Sequence, residues 1–353
     1  MAPRCGRAAT ARCRGEGVTH GSKPLKRLAI IGGGAWGTAL GIIARRAGSS
    51  PVLWARDPDV VDAINERHEN PLYLPTVRLD PAISATADIE AATAGAEAAL
   101  VVVPAQFFRG VVRALQSSAP VGMPVLLCAK GIEAGTLKTM SEVAAEMLPD
   151  SPAAVLSGPT FASEVARDLP TAVTIASHDT VLARAFMMAL GSSKFRPYLS
   201  VDPIGVEIGG AVKNVLAIAC GIILGRGLGD NARAALITRG LAEMIRLGLA
   251  KGGCVETFRG LSGLGDLVLT CSALQSRNYT LGLALGRGQS LTATLTSRRS
   301  IVEGVASAAA VAELAAQLEV DMPICGAVDA VLHRGVSIEA MIDRLLGRPY
   351  RAE

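Results

Sequence analysis

The sequence predicts an α/β protein in which a doubly wound parallel sheet comes first and an all-α domain follows. Up to about residue 203, short apolar runs alternate with helical stretches, whereas after about Val206 long Ala- and Leu-rich helical patterns dominate. Continuously apolar runs are typical of strands buried on both faces, and their alternation with helices is typical of a parallel sheet between two helical layers. We expect the first domain to span residues 25–203 and the second to span residues 204–349.

The elements of both domains follow from these patterns in chain order. Strands are predicted at 28–32, 51–55, 98–103, 124–128 and 153–157, and two more at the end of the sheet, at 171–176 and 194–199. The helices predicted in the first domain are 35–47, 58–68, 106–117 and 136–147. In the second domain, Gly-rich turns separate predicted helical stretches at 206–224, 231–250, 255–260, 278–288, 303–318 and 326–346.

Composition excludes several classes of protein. Hydrophobic residues make up 50% of the chain but aromatic residues only 3%, so the core must be built from Ala, Val, Leu and Ile. Mean hydropathy is +0.37. No membrane span is expected, because the apolar run 215–224 is about half of the roughly 20 residues that cross a bilayer.

Charge and cysteine usage point away from nucleic acid and metal. The net charge is +4, but residues 1–27 hold seven basic residues and one acid, so the rest of the chain carries −2. Because the chain after residue 27 is nearly neutral, it offers no case for a basic surface that binds nucleic acid. The seven scattered cysteines form no C-x-x-C, and the four histidines lack metal spacing. This suits reduced thiols in the cytoplasm better than disulfides or zinc.

Residues 1–24 stand apart from the rest of the chain. They are rich in Arg, poor in acids and without an apolar run, which excludes a secretory signal. We interpret them as a disordered or misannotated extension, with a transit peptide as the alternative.

The segment AIIGGGAWGTAL carries G-x-G-x-x-G at Gly32, Gly34 and Gly37, between a predicted strand and a predicted helix. In that context the glycines allow a tight turn and bring a pyrophosphate close to the helix N-terminus, which predicts a Rossmann-type nucleotide site. Arg56 and Asp57 follow the second strand, where the adenosine ribose is expected. An arginine there favours the 2′-phosphate of NADP, or use of both cofactors. A solvated Arg–Asp pair is the alternative.

Two further segments follow strands at the edge of the sheet where open α/β sheets bind ligands. CAKGIE places Lys130 there, and LSGPTFA places Gly158, Thr160 and Ala162. Together they predict a crevice that contains a cation and a hydroxyl group.

The helical domain contains a lysine in apolar surroundings. Lys213 and Asn214 lie in GGAVKNVLAIACGIILG, where an unpartnered ammonium group would be costly. A partner is offered by GLGDLVLTC, in which Asp266 and Thr270 are four residues apart and share one face if helical.

An anion site is predicted in QSRNYT, which contains Ser276, Arg277 and Asn278. If a helix starts here, its free N–H groups and the arginine form an anion clamp. Ser276 as a simple N-cap is compatible with this interpretation.

From about residue 28 to 349 the chain resembles the bacterial-type NAD(P)-dependent glycerol-3-phosphate dehydrogenases. The resemblance is carried, in order, by GGGAWGTA, AKGIE, SGPTFA, GGAVKNVLAI, NARAALITRGLAEM, GLGDLVLTC, QSRN and VEG. It implies an oxidoreductase that interconverts dihydroxyacetone phosphate and sn-glycerol 3-phosphate with NADP or NAD, and that serves phospholipid synthesis. Helix faces near 231–250 are compatible with a homodimer.

The resemblance also implies roles for individual residues. Lys213 matches the catalytic lysine and is expected to exchange a proton with the carbonyl oxygen of the substrate. A partly dry site and the nearby charge of Lys130 are expected to lower the pKa of Lys213. Residues matched to the substrate beside it are Lys130, Asn214, Asp266 and Thr270, and among them Asp266 and Asn214 are expected to orient Lys213. Further substrate contacts are implied at Gly158, Thr160, Ser276, Arg277 and Asn278. Cofactor contacts are implied at Gly32, Gly34, Ala35, Trp36, Gly37, Arg56, Lys130, Ala162, Arg277, Ile301 and Glu303.

Two other functions remain as alternatives. A β-hydroxyacid-type dehydrogenase has a similar layout, but it recognises a carboxylate and usually separates its lysine and asparagine by a turn. A non-catalytic NADP-binding regulator on the same scaffold would be expected to lack Lys213 or Asp266, and both are present.

Overall fold

The computed structural model describes residues 25–298 and 301–349, and the predicted extension 1–24 lies outside them. It confirms the predicted fold class: a mostly parallel sheet flanked by helices precedes a helical region. The predicted boundary between residues 203 and 204 falls at the first turn of a long helix, and it stays a prediction.

Eight strands form the main sheet, in the order β10-β9-β8-β7-β6-β1-β2-β5. The neighbours pair in parallel except β8 and β9, which pair antiparallel. A separate two-stranded antiparallel hairpin, β3–β4, was not predicted. The strands are β1 (Arg27–Ile31), β2 (Ser50–Trp54), β3 (Glu69–Asn70), β4 (Leu74–Arg78), β5 (Ser84–Thr86), β6 (Ala98–Val101), β7 (Val125–Leu127), β8 (Ala153–Ser157), β9 (Thr171–Ala176) and β10 (Phe195–Ser200).

The strand order reverses between β1 and β6. Strand β2 pairs with one edge of β1, and β6, which comes later in the chain, pairs with the other edge of β1. Open α/β sheets bind ligands in the crevice at such a switch point, outside the carboxyl ends of the strands. Two clusters of buried apolar side chains pack against the sheet and its helices. The carboxyl ends of β1 and β6 are therefore the expected place for a ligand site.

The helices of the first region include counterparts of the four predicted ones and three that were not predicted, which begin at Ile89, Ala162 and Thr180. They are α1 (Ala35–Arg46), α2 (Pro58–Asp62), α3 (Ile89–Thr93), α4 (Ala105–Ser118), α5 (Met140–Met147), α6 (Ala162–Ala166) and α7 (Thr180–Leu190). The helix predicted at 136–147 begins only at Met140, because Thr139 and Glu142 form a capping box there. The stretch predicted as one helix at 58–68 changes to a π-helical segment, Ala63–Arg67.

The second region is helical throughout its described part. Its helices are α8 (Pro203–Gly225), α9 (Gly229–Ala250), α10 (Val255–Arg259), α11 (Asp266–Ser272), α12 (Arg277–Gly286), α13 (Leu291–Thr296), α14 (Glu303–Gln317), α15 (Pro323–His333) and α16 (Ile338–Leu346). A π-helical segment, Leu261–Gly265, precedes α11. The stretch predicted at 326–346 is two helices, because Ser337 caps the second of them.

Helix α8 is longer than the apolar run considered for a membrane span in the sequence. By length and composition alone its 23 residues could cross a bilayer, since the apolar stretch is longer than the run considered in the sequence. However, 89% of that stretch is buried within the protein. Its apolar side chains belong to the core cluster of the helical region, so α8 is the helix around which the others pack.

Helices α8 and α12 lie in backbone contact and run in the same direction. An added Cβ on Gly282 would overlap the carbonyl oxygen of Ile218, and one on Gly286 would lie 2.6 Å from that of Ile222. Both pairs are 64 residues apart in sequence, which means that the register between the helices stays constant. Glycine is required at this contact because any side chain would push the helices apart.

Candidate active site

The glycine loop joins β1 to α1 at the switch point of the sheet. Gly32 has a φ of +134°, which a side chain would strain, and an added Cβ would lie 2.7 Å from the carbonyl oxygen of Val102. At Gly37 an added Cβ would overlap the carbonyl oxygen of Gly32. At Gly34 no atom lies within 4 Å of an added Cβ. The loop is therefore tightly packed on the protein side and open beside Gly34.

The start of α1 is suited to an anion. Gly34 is its N-cap and offers no side-chain hydrogen bond, and the first turn holds no acidic residue. The free N–H groups and the positive end of the helix dipole thus remain available for a pyrophosphate. The indole Nε1 of Trp36, the second residue of the helix, is buried without a hydrogen-bond partner in the structure. This cradle fits the dinucleotide that the sequence predicts.

Asn70 holds the glycine loop, and the sequence analysis missed it. Its side chain is 1% exposed, and Nδ2 donates to the carbonyl oxygen of Gly33 at 2.9 Å and to Oγ1 of Thr38 at 2.8 Å. Its Oδ1 accepts from the N–H of Tyr73 at 3.3 Å. The hairpin β3–β4 thus fixes the loop from 37 residues away along the chain. The only signal in the sequence is an Asn-Pro turn, which indicates a loop and no particular contact.

At the end of β2 the two candidate ribose residues differ in their surroundings. Asp57 is the N-cap of α2, and its Oδ1 accepts from the N–H of Asp59 at 3.1 Å. Arg56 is exposed, and among the described residues its guanidinium has no hydrogen bond or ion pair. The acid is therefore engaged in capping while the arginine is free to meet a ligand.

Four predicted residues meet in one buried cluster around a carboxylate. Nζ of Lys213 lies 2.6 Å from Oδ1 of Asp266, and Nζ of Lys130 lies 2.8 Å from Oδ2 of the same group. Lys213 also donates to Oγ1 of Thr270 at 3.1 Å, and Lys130 donates to the carbonyl oxygen of Gly158 at 3.2 Å. One carboxylate thus holds two ammonium groups, which leaves an excess of one positive charge.

Three separate elements position this cluster. Lys213 projects from the middle of α8, whereas Asp266 and Thr270 lie one turn apart on α11. Lys130 follows β7 at the carboxyl edge of the sheet. Gly158 follows β8 with a φ of +140°, and the hydroxyl group of Thr160 donates to its carbonyl oxygen at 3.3 Å. The cluster therefore joins the sheet to the helical region.

Burial decides the protonation of the cluster. Desolvation lowers the pKa of Lys213 to about 8, and Lys130 adds to this, although Asp266 opposes both. Burial raises the pKa of Asp266, but the two lysines outweigh it and hold that pKa below its usual value. Asp266 is thus a fixed anion, whereas Lys213 can change its protonation near neutral pH.

A second polar chain runs beside the first. The N–H of Gly304 donates to Oδ1 of Asn278 at 2.9 Å, and Nδ2 of Asn278 donates to Oδ1 of Asn214 at 2.9 Å. A backbone N–H can only donate, so it fixes the orientation of both amides. The chain therefore ends on Nδ2 of Asn214, which is buried without a partner in the structure and is available to donate to a ligand.

The predicted anion clamp lies at the start of α12. Oγ of Ser276 accepts from the N–H of Tyr279 at 3.2 Å, so the N-cap function is present. Arg277 is the first residue of the helix and is exposed. Burial raises the pKa of Glu303, against the attraction of Arg277, Lys130 and Lys213. The carboxyl group of Glu303 is thus within electrostatic reach of Arg277 and of the two lysines around Asp266.

The remaining predicted cofactor residues are not bonded to the charged cluster within the described part of the chain. Ala162 begins α6 and packs with Trp36 against one core cluster of the sheet domain. Ala35 is the first residue of α1. Ile301 is 46% exposed and precedes α14. Among the described residues, no hydrogen bond or ion pair joins Arg56, Ala162 or Ile301 to the lysines. No group of three or more potential metal ligands is found within 25–298 and 301–349.

Comparisons with known proteins agree with one another. The family models for the N-terminus and the C-terminus of NAD-dependent glycerol-3-phosphate dehydrogenase match residues 27–183 and 202–343, respectively. A glycerol-3-phosphate dehydrogenase (NAD(P)+) of Rhodospirillum rubrum is 56% identical over 329 residues, 93% of this chain and 94% of that protein. One of Caulobacter vibrioides is 53% identical over 93% of this chain and 99% of that protein. A crystal structure of glycerol-3-phosphate dehydrogenase from Coxiella burnetii has a TM-score of 0.89 and 40% identity, and covers 92% of this chain and 99% of its own.

Proposed function

The chain belongs to the NAD-dependent glycerol-3-phosphate dehydrogenase family, and from this membership we propose the roles of its individual residues. It is an oxidoreductase that interconverts dihydroxyacetone phosphate and sn-glycerol 3-phosphate with NAD(P)H, a reaction that supplies phospholipid synthesis. The two alternative functions raised by the sequence are set aside by this membership.

Lys213 is the proton donor in the proposed mechanism. Its ammonium group gives a proton to the carbonyl oxygen when the ketone is reduced, and the neutral amine takes a proton from the C2 hydroxyl in the reverse direction. The observation that carries this role is a lysine buried to 6% exposure with a pKa of about 8 and a carboxylate 2.6 Å away. A group with a pKa near the working pH is suited to both directions.

Asp266, Thr270 and Lys130 orient and tune Lys213. Asp266 and Thr270 accept two hydrogen bonds from its Nζ, which leaves one N–H free to point at substrate. The positive charge of Lys130 contributes to the lowered pKa of Lys213 and stabilises negative charge that develops on the carbonyl oxygen.

Arg277, Ser276 and Asn278 bind the substrate phosphate at the start of α12. The phosphate carries the same charge throughout the reaction. Its contacts therefore position the carbonyl carbon and do not become stronger in the transition state. Asn214 adds a donor from its unpartnered Nδ2. Gly158 and Thr160 complete the wall on the side of the sheet.

The cofactor residues hold the dinucleotide across the switch point. Gly32, Gly34, Gly37 and the start of α1 would bind the pyrophosphate. Ala35, Trp36, Lys130, Ala162, Arg277, Ile301 and Glu303 are proposed as further contacts, and the exposed Arg56 would bind the 2′-phosphate of NADP. When bound, the nicotinamide supplies or accepts the hydride at C2 of the substrate.

We also propose a location and an assembly for the protein. Four of the described cysteines, Cys128, Cys220, Cys271 and Cys325, are free and buried, which suits a cytoplasmic protein. A homodimer is compatible with α9, whose first half is largely exposed or half-buried. Sedimentation in solution tests the dimer.

Paired substitutions test the division of roles between Lys213 and Arg277. Lys213→Ala removes an interaction that acts in the transition state, so kcat should fall by about 10²–10⁴ with a modest change in KM. Arg277→Ala removes a contact to a group that is always charged, so it should mainly raise KM for dihydroxyacetone phosphate and cost some kcat.

Unphosphorylated dihydroxyacetone is the matched control. The Arg277→Ala penalty should shrink with this substrate, because no phosphate remains to be held. A folded Lys213→Ala protein that kept most of its kcat would contradict the proton-transfer role. An Arg277→Ala loss of equal size with both substrates would contradict the phosphate role.

A further inference from the structure

A second arginine lies against the first turn of α12. Nη1 of Arg298 donates to the carbonyl oxygen of Arg277 at 3.1 Å and to Oγ1 of Thr280 at 3.0 Å. Arg298 is half-buried, and these two contacts use only part of a guanidinium with five N–H donors. The remaining N–H groups have no hydrogen-bond partner among the described residues.

The position of Arg298 is electrostatically unfavourable by itself. It is a cation at the positive end of a helix, where anions are favoured. Burial and the neighbouring Arg277 both lower the pKa of Arg298. Among the described residues, neither Arg277 nor Arg298 forms an ion pair with a carboxylate. Two arginines therefore lie at one turn of helix without an ion-paired carboxylate in that part of the chain, and the carboxyl group of Glu303, whose pKa is raised by burial, attracts Arg277.

A second observation at the same turn points to a ligand. Asn278, the second residue of α12, is hydrogen-bonded to Asn214, whose Nδ2 is buried without a partner. Asn214 is 4% exposed, and a buried amide donor left unpaired is costly. The turn thus combines two cations, which form no ion pair within the described residues, with a neutral donor, Nδ2 of Asn214, which lacks an acceptor there.

We propose that Arg298 is a second phosphate-binding cation, which closes with Arg277 on one phosphate group. The inference rests on the proposed phosphate end of the site. The group is carried either by the substrate or by the cofactor, and a guanidinium fork suits both because it binds phosphate oxygens in pairs. The hydrogen bonds to Arg277 and Thr280 hold the fork in place before the ligand arrives.

Steady-state kinetics of Arg298→Gln test this role. KM for dihydroxyacetone phosphate should rise about tenfold or more, since a charge-assisted contact is lost, while kcat/KM for unphosphorylated dihydroxyacetone should stay unchanged. If the phosphate belongs to the cofactor, KM for NADH and NADPH should rise instead. Arg298→Lys keeps the charge without the fork and should show a smaller rise, and it also serves if the Gln variant does not fold.

Arg287→Gln is the matched control, because Arg287 is exposed at the other end of the same helix and no side-chain contact of it is described. It should change none of these constants. If KM for substrate and for cofactor both stay at the wild-type value in Arg298→Gln, the proposal is wrong. Equal losses with dihydroxyacetone and its phosphate, together with a lower Tm, would also overturn it.

Comparison of Arg277→Ala with Arg298→Gln separates the role of Arg298 from the role of the start of α12 as the phosphate site. If Arg277→Ala raises KM for dihydroxyacetone phosphate but Arg298→Gln does not, only the role of Arg298 is lost. If neither substitution changes KM, the phosphate binds elsewhere.

Discussion

At the scale of single residues, Lys213 determines how the reaction responds to pH. Desolvation lowers its pKa to about 8, so the ammonium form prevails below that pH and the neutral amine above it. We predict that the rate of ketone reduction falls as pH rises through about 8, because the proton donor is lost. The rate of alcohol oxidation should rise over the same range. Initial rates in both directions between pH 6 and pH 10 provide the measurement.

Asp266→Asn is the control for this assignment. The carboxylate favours the charged form of Lys213, so its removal should shift both pH profiles to lower pH. Profiles that stay in place, or that bend in the same sense for both directions, would show that another group controls the rate.

Residues whose pattern is unusual by itself could be identified from sequence. A lysine within an apolar stretch and an Asp–Thr pair four residues apart indicate a buried charge and its partner. Asn70 and Arg298 could not be identified in this way. Each acts through contacts to segments 37 and 21 residues away, and neither has a local pattern that differs from an ordinary loop residue.

At the scale of elements, the hairpin β3–β4 supports the cofactor site through Asn70. We predict that Asn70→Ala raises KM for NADH and NADPH together, since the glycine loop loses the donor to Gly33 and Thr38. It should also lower the free energy of unfolding by roughly 1–3 kcal/mol, the usual effect of unpairing a buried group. Cofactor titration and urea unfolding measure the two effects.

Asn65→Ala is the matched control. Asn65 makes a similar pair of hydrogen bonds, at 2.9 and 2.8 Å, but to the backbone of Ala85. It should lose stability without a change in cofactor KM. If both variants raise the cofactor KM equally, the effect comes from general loosening of this segment and Asn70 has no particular role.

Most elements of the sheet domain were predictable because their strands are continuous apolar runs. The hairpin was missed for a physical reason: β3 has two residues and β4 contains a proline and is largely exposed, so neither shows apolar alternation. The π-helical segments have the same composition as α-helix and differ only in backbone hydrogen bonds. The antiparallel pairing of β8 and β9 depends on chain direction, which an apolar run does not encode.

At the scale of the whole molecule, Glu207 links the helical region to the sheet domain. It lies on α8 at 4% exposure and accepts from the N–H of Ser141 at 2.7 Å and from its hydroxyl group at 2.5 Å. Burial raises the pKa of Glu207 to about 7 from 4.5. Between these values the folded protein binds a proton that the unfolded chain releases, so stability falls as pH rises from about 4.5 through about 7.

We predict that Glu207→Gln removes this dependence. The difference in unfolding free energy between the variant and wild type should shift in favour of the variant by roughly 3 kcal/mol between pH 4.5 and pH 8, if the full shift is expressed. Urea unfolding at several pH values measures it. A difference that is constant with pH would mean that Glu207 is already ionised at low pH and that Ser141 outweighs burial.

The order of the two regions was predictable because it depends on composition along the chain. How they meet was not, since Glu207 and Ser141 are 66 residues apart and their contact depends on the packing of α8 against α5. The cluster around Asp266 is a similar case: the sequence supplies its members, whereas the folded chain brings together residues 130, 213 and 266.

The backbone contact between α8 and α12 sets a length for the molecules that the site admits. The glycines let the two backbones pack directly against each other, and close-packed interiors deform little, so we expect the distance from Lys213 to the start of α12 to be nearly constant. In the proposed mechanism one end of this distance holds the carbonyl and the other holds the phosphate. We expect a three-carbon ketone phosphate to span this distance, and a longer sugar phosphate to carry its carbonyl past the lysine. On this mechanism the enzyme would select its substrate by size, and the packing of α8 against α12 would set the length that is selected.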